Sequence, residues 1–172
     1  MFKNQNTLSI ITIASLILVG AFSRVLPHPP NFTAVGAIAL FAGMHLRDKR
    51  LSFLIPITSM VITDLIIGFG FDPYVYVSFA IIVVLGILIQ HNKKLFPILA
   101  TSIAGSILFF MITNFSVFIG SNMYPQNFQG LIACYVAGIP FSYNNLLADL
   151  FYNSVFFFAW IMASKKYPQL AS

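Results

Sequence analysis

Residues 95–148 read LFPILATSIAGSILFFMITNFSVFIGSNMYPQNFQGLIACYVAGIPFSYNNLLA, 54 residues without one charged side chain. As a single helix this stretch would be about 80 Å long at 1.5 Å per residue. A hydrocarbon core is only about 30 Å thick, so the run has to be interrupted. Gly120-Ser121-Asn122 and Tyr124-Pro125 supply the first interruption and end a span near Ile119. Leu131–Ile139 is apolar but too short to cross, and Pro140 stops it. The pattern predicts a span over 95–119, a short re-entrant or interfacial helix over 129–139, and a last span over 143–163.

The rest of the chain has the same character. Of its 172 residues 59% are hydrophobic, 16% aromatic and only 8% charged, with a mean hydropathy of +0.90. Soluble domains carry about 25% charged residues, and disordered chains are polar and poor in aromatics. Both classes are excluded. Four further spans fall between the charge clusters, over 8–23, 33–46, 51–68 and 73–90. Asp72-Pro73 makes a clear start for the last of these, with Asp as N-cap and Pro in the first turn. No repeat or soluble linker divides the chain, so residues 1–172 read as one domain.

Charge placement orients the spans. With the N-terminus inside, the inner segments hold Lys3, then Arg47, Lys49 and Arg50, then Lys93 and Lys94, then Lys165 and Lys166, while the outer side holds Arg24 alone. That satisfies the positive-inside rule in every loop. The expected architecture is an all-α membrane protein with six transmembrane helices and both termini cytoplasmic. Basic residues placed this way point to lipid headgroups and away from nucleic acid. Lys3, the apolar run and Ala21-Phe22-Ser23 also resemble a signal peptide. Retention as a helix is expected, because cleavage would upset the charge alternation.

Ionisable groups inside a bilayer are expensive and usually carry a function or a partner. Arg24, Asp64, Asn114 and Asp149 are expected at one height near the outer surface: at the end of the first span, near the ends of the third and fifth, and in the second turn of the sixth. Asn31 and Asn145 are cap candidates for helices that start on that side, where amide groups and helix dipoles favour anions. Asn145, Asp149, Tyr152, Asn153 and Phe156 share one helix face. These residues predict a small-molecule pocket that opens outward. The bland alternative is that Arg24 pairs with Asp64 or Asp149 and the asparagines act as packing glue. Ala39/Gly43, Ala100/Ala104, Thr101/Gly105 and Ser102/Ser106 have the small-xxx-small spacing of close helix contacts. His45 and His91 read as solvated among the inner charges, and His28 stands alone among prolines.

No phosphate-binding loop, His-Glu-x-x-His or Gly-x-Ser-x-Gly motif occurs. Gly68-Phe69-Gly70-Phe71-Asp72 is one residue too long for the Gly-x-Gly-Asp string of intramembrane aspartyl proteases. The expectation is a protein that is not an enzyme. Neither a cofactor nor a metal is expected, since Cys134 is the single cysteine and no two histidines have ligand spacing.

Several strings carry a resemblance: Ser23-Arg24-Val25-Leu26-Pro27-His28-Pro29-Pro30-Asn31-Phe32-Thr33, Ala37-Ile38-Ala39-Leu40-Phe41-Ala42-Gly43, Thr113-Asn114-Phe115, Tyr124-Pro125, Gly130-Leu131-Ile132-Ala133-Cys134-Tyr135 and Pro140-Phe141. Across nearly the whole chain they look like an uncharacterised bacterial membrane family whose members are described as candidate transport proteins. More distantly, the layout is similar to the S components of energy-coupling-factor (ECF) transporters, with the proline-rich loop before the second span and Thr63-Asp64-Leu65-Ile66-Ile67-Gly68 closing the third. That resemblance implies capture of a vitamin-like molecule from outside, together with a T-type membrane subunit and two ATPases. The chain departs from it in the first span, where Ala14 and Leu18 stand at the spacing of the Ala-xxx-Ala docking motif. It also lacks the His-led N-terminus of metal-uptake subunits, since Phe2 follows Met1.

The resulting expectation is a substrate-binding subunit in the bacterial cytoplasmic (inner) membrane. It would hold an organic micronutrient with Arg24, Asn31, Asp64, Asn114, Asn145 and Asp149, and rely on separate energising subunits. A non-catalytic scaffold of a membrane assembly is the alternative. A third option, an ion- or proton-coupled carrier, requires an acidic residue nearer mid-bilayer than the sequence places Asp64 or Asp149.

Overall fold

From Ala34 to Met44 every residue is buried. A helix that is apolar on all sides is enclosed by protein or by lipid, and in the computed structural model this segment is the central strut of the molecule. The structure describes residues 2–92 and 94–166, with side chains from residue 11 onward. The helices in chain order are α1 (Phe2–Val25), α2 (Val35–His45), α3 (Lys49–Ile67), α4 (Pro73–Leu88), α5 (Leu95–Gly120) and α6 (Phe128–Lys166). No strand occurs among the described residues. The other five helices all touch α2. Lys93 and Tyr167, and the side chain of Lys3, lie outside the described residues.

The close approach of α2 to α4 follows from two glycines. A Cβ on Gly43 would strike the Val83 carbonyl oxygen, and one on Gly86 would strike that of Leu40. The Ala39/Gly43 spacing is thus spent on an internal contact. Val35, Ala39, Leu40, Phe79, Ile82 and Val83 close the core around it. On the other flank Phe41 packs on His45, Phe156 and Trp160. His45, expected in solvent, is instead wedged between Phe41 and Trp160, with ring centroids at 4.3 and 4.4 Å. Its position at the end of a buried helix decides this, which the neighbouring Arg47 and Lys49 conceal in the sequence.

The two contacts also fix the ends of the bundle. Gly43 beside Gly86 and His45 beside Trp160 bring the α2–α3 turn, the α4–α5 turn and the carboxyl end of α6 together. This basic end holds Arg47, Lys49, Arg50, Lys94, Lys165 and Lys166. The other three connections, 26–34, 68–72 and 121–127, gather at the opposite end.

Polarity is arranged inside-out. Ser52, Ser59, Thr63, Ser78, Ser102, Ser106, Asp149 and Asn153 are buried, while Leu65, Phe96, Leu88 and Met162 are each more than 70% exposed. An exterior of this kind marks contact with a membrane or with other protein. Among the described residues three helices, α3, α5 and α6, are long and apolar enough to cross a membrane. The expectation of six crossing helices is therefore corrected: six helices are present among the described residues, but α2 and α4 have only 11 and 16 residues, and α1 counts only over its described part, Ile11–Val25. The apolar character of α2 reflects enclosure by protein, which a sequence cannot distinguish from enclosure by lipid.

A second correction concerns the end of the chain. The short helix over 129–139 and the span over 143–163 are one continuous helix of 39 residues that passes through Pro140. Proline deletes one amide donor, at the Val136 carbonyl. A long helix supported on one side tolerates that loss, as α3 does at Pro56.

The glycine contact yields a test. Gly86→Ala drives a methyl group into the α2 backbone and is expected to cost about 1–3 kcal/mol, read as a lower melting temperature in detergent. Gly120→Ala, which meets nothing within 4 Å, is expected to leave it unchanged.

Candidate functional site

At the loop end a cavity of about 610 Å³ opens above α2. No residue of α2 lines it; Asn31 and Thr33, which lead into that helix, do. The approach is a tight turn. Asn31 takes a left-handed backbone (φ 62°), a conformation that asparagine tolerates better than most residues. Asn144 donates to the Pro30 carbonyl and ties the turn to α6. Phe79, Phe109, Phe141 and Met60 give the cavity apolar walls, and Arg24, Asp72, Asn114 and Asn145 give it polar points.

Arg24 comes from the last turn of α1. All its hydrogen bonds run through Nη1: to Asp64 Oδ1 at 2.8 Å, to the Thr63 hydroxyl, and to the Met60 carbonyl at 3.4 Å. Among the described residues Nε and Nη2 have no partner. Asp64 is occupied from the other side as well, by the Tyr76 hydroxyl at 2.7 Å. The Arg24–Asp64 pair is one of the two arrangements the sequence offered, and it is the one salt bridge among the described residues.

Asp149 has a different setting. It lies near the middle of α6 and accepts from Ser106, near the middle of α5, at 2.7 Å. Asn145, one turn nearer the loops, donates to the same oxygen at 3.2 Å. One turn the other way, Asn153 reaches Ser102 at 2.9 Å. A Cβ on Gly36 would collide with Asp149 Oδ1, so this carboxyl rests on the amino end of α2. Here the expectation of a single polar level fails. Asp149 is not in the second turn of a last span, because α6 starts at Phe128 and carries it down to the level of the first turn of α2.

Of the six expected site residues, Arg24, Asn31, Asn114 and Asn145 line the cavity. Asp64 stands behind Arg24, and Asp149 lies beneath Asn145. Asn114 donates to Phe110 within α5, and its amide oxygen sits where a Cβ of Gly138 would be. The sequence places a roof of three outer loops, 24–32, 69–76 and 120–142, over the pocket; His28, Asp72 and Tyr124 come from these loops but were not singled out as site residues, and Thr113 was missed. Asp72 does cap α4 as expected, accepting from the Tyr74 amide at 2.9 Å, but both its oxygens also accept from Ser116 on α5. Its place two residues after Gly70, in a loop already assigned to the outside, was the available signal. Among the described residues no group of three His, Cys, Asp or Glu side chains is placed to hold a metal ion.

Among the described residues these features define an all-helical protein with three helices fit to cross a membrane, built around an end-on cavity with a part-buried arginine. The chain belongs to a family of unknown function, DUF6580, whose model matches residues 4–170. No curated protein and no solved structure matches it.

The ion pair gives a stability test. Arg24→Met strands the Asp64 carboxylate and is expected to cost about 3–5 kcal/mol. The double variant Arg24→Met/Asp64→Asn, which removes the charge yet leaves Tyr76 an acceptor, is expected to regain much of that in chemical denaturation.

Proposed function

We propose that this protein is a membrane-embedded substrate-binding subunit that captures an organic micronutrient and relies on separate energising subunits. The observation that carries this reading is the cavity. At about 610 Å³ it falls within the roughly 300–1,000 Å³ of small-molecule sites, and it combines apolar aromatic walls with a few convergent polar groups. Arg24 offers an unused guanidinium edge to it, so the favoured substrate class is an aromatic or otherwise apolar molecule with a carboxylate or similar anionic group.

In this reading the bundle sits in the bacterial cytoplasmic membrane. The basic end faces the cytoplasm, as the positive-inside rule asks, and the cavity faces outward. α1, α3, α5 and α6 run the depth of the bilayer, with α2 and α4 enclosed or tilted between them. The nearest functional analogy is the S component of an ECF transporter, so a T-type membrane subunit and ATPases are the proposed partners. The departure at Ala14 and Leu18 means that docking would use another surface of α1. The chain has no catalytic role of its own in this scheme. A scaffold role for the same fold would make the cavity incidental, and variants within it silent.

Native mass spectrometry of the full chain in nanodiscs, after exposure to cell extract, is the test. An anionic small molecule is expected to co-purify. Arg24→Lys keeps the charge beside Asp64 but loses the planar fork, and is expected to weaken capture by about 10- to 100-fold. Absence of any retained molecule, or equal retention by this variant, would sink the proposal.

A further inference from the structure

Asp149 is 3% exposed, and the two oxygens of its carboxyl live in different surroundings. Oδ2 accepts from Ser106 and Asn145. Oδ1 accepts from nothing and is the one buried side-chain polar atom without a partner among the described residues. No cation is near. α5 carries no charged or titratable side chain along its length, and the only one on α2 is His45, at the far end beside Trp160. On α6 the titratable neighbours Tyr143 and Tyr152 make no bond to Asp149; Tyr152 is packed against Phe32, Phe151 and Phe156. Arg24, the cation that lines the cavity, is engaged by Asp64.

A carboxylate buried without countercharge, and with one oxygen undonated, is strongly disfavoured against its neutral form. Yet the neutral form is not locked in. The amides of Val35, Gly36 and Ala37 have no acceptor within α2, and Asp149 Oδ1 rests against Gly36 at that helix end. With the two donors on Oδ2, this positive helix end makes the anion reachable. Asn145 supplies a route, since it lines the cavity and also touches Oδ2. We infer that Asp149 is a proton-binding site at the floor of the cavity, taking up and releasing its proton past Asn145. On release the proton leaves Oδ1 for water in the cavity, and the negative charge is shared by Ser106, Asn145 and the amino end of α2. The inference stands whether or not the cavity takes a micronutrient, and it places the acidic group of a proton-linked carrier near mid-depth.

Dicyclohexylcarbodiimide reacts with protonated carboxyls in apolar surroundings, which allows a test on the unaltered chain in nanodiscs without any substrate. Peptide mass spectrometry is expected to find the label on Asp149 at neutral pH, where the exposed Asp48 stays unlabelled. Labelling is expected to fall about tenfold per pH unit once past the titration point. An infrared titration is expected to show a matching carboxylic-acid C=O band that Asp149→Asn removes and Asp64→Asn keeps. Loss of label and band already in the ordinary aspartate range, or no label at any pH, would overturn the inference. So would protection by sodium ions at constant pH, since that would assign the site to a metal cation.

Discussion

The length of α2 governs this molecule. Eleven residues make a rod of about 16 Å, roughly half the thickness of a hydrocarbon core. Within that half the helix is touched on every side, and Gly43 and Gly86 let two backbones meet where side chains would hold them apart. Beyond Val35 the centre of the bundle has no helix to fill it. The surrounding helices continue, the chain leaves through the Pro29–Asn31 turn, and a cavity is the geometric remainder. The cavity therefore does not depend on any particular lining residue. It exists because the central helix stops.

What binds the outer helices together is polar, as suits a bundle whose exterior is apolar. Where water is excluded, a hydrogen bond between helices faces no competition from solvent, and side chains such as Ser102 with Asn153 and Ser106 with Asp149 join α5 to α6 at successive turns. The Cys134 thiol and the Tyr135 hydroxyl extend the same seam by donating to the Asn114 and Met111 carbonyls. Asn153 belongs to this packing role alone. Asp149 has a second aspect, because half of its carboxyl is left over from the seam.

Features written as local chemistry were legible in the sequence. Asp72-Pro73 opens α4, Gly120 closes α5, and Gly68 ends α3 in the left-handed conformation that frees it from side-chain strain. The pairing of Arg24 with Asp64 was among the options, since both close helices at the same end. Features that depend on enclosure were hidden. Hydropathy reports that α2 avoids water but not what surrounds it. Pro140 looks like a terminator because its missing amide is visible in the sequence, whereas the packing of 128–139 along α5, which outweighs that loss, is not. Misplacing the start of α6 then raised Asp149 toward the surface by several turns. The same error hid the meeting of its carboxyl with Gly36, more than a hundred residues away in the chain.

The way Arg24 is held has a further consequence. Its planar head is anchored at a single nitrogen by a carboxylate, a hydroxyl and a backbone oxygen, so the side chain is rigid before anything arrives. A visiting group that approaches the remaining edge meets donors whose rotamer entropy has already been surrendered during folding, and no native bond has to open to admit it. Recognition by such a residue is lock-and-key in character: quick to select by shape and orientation, and indifferent to whether the rest of the bundle moves.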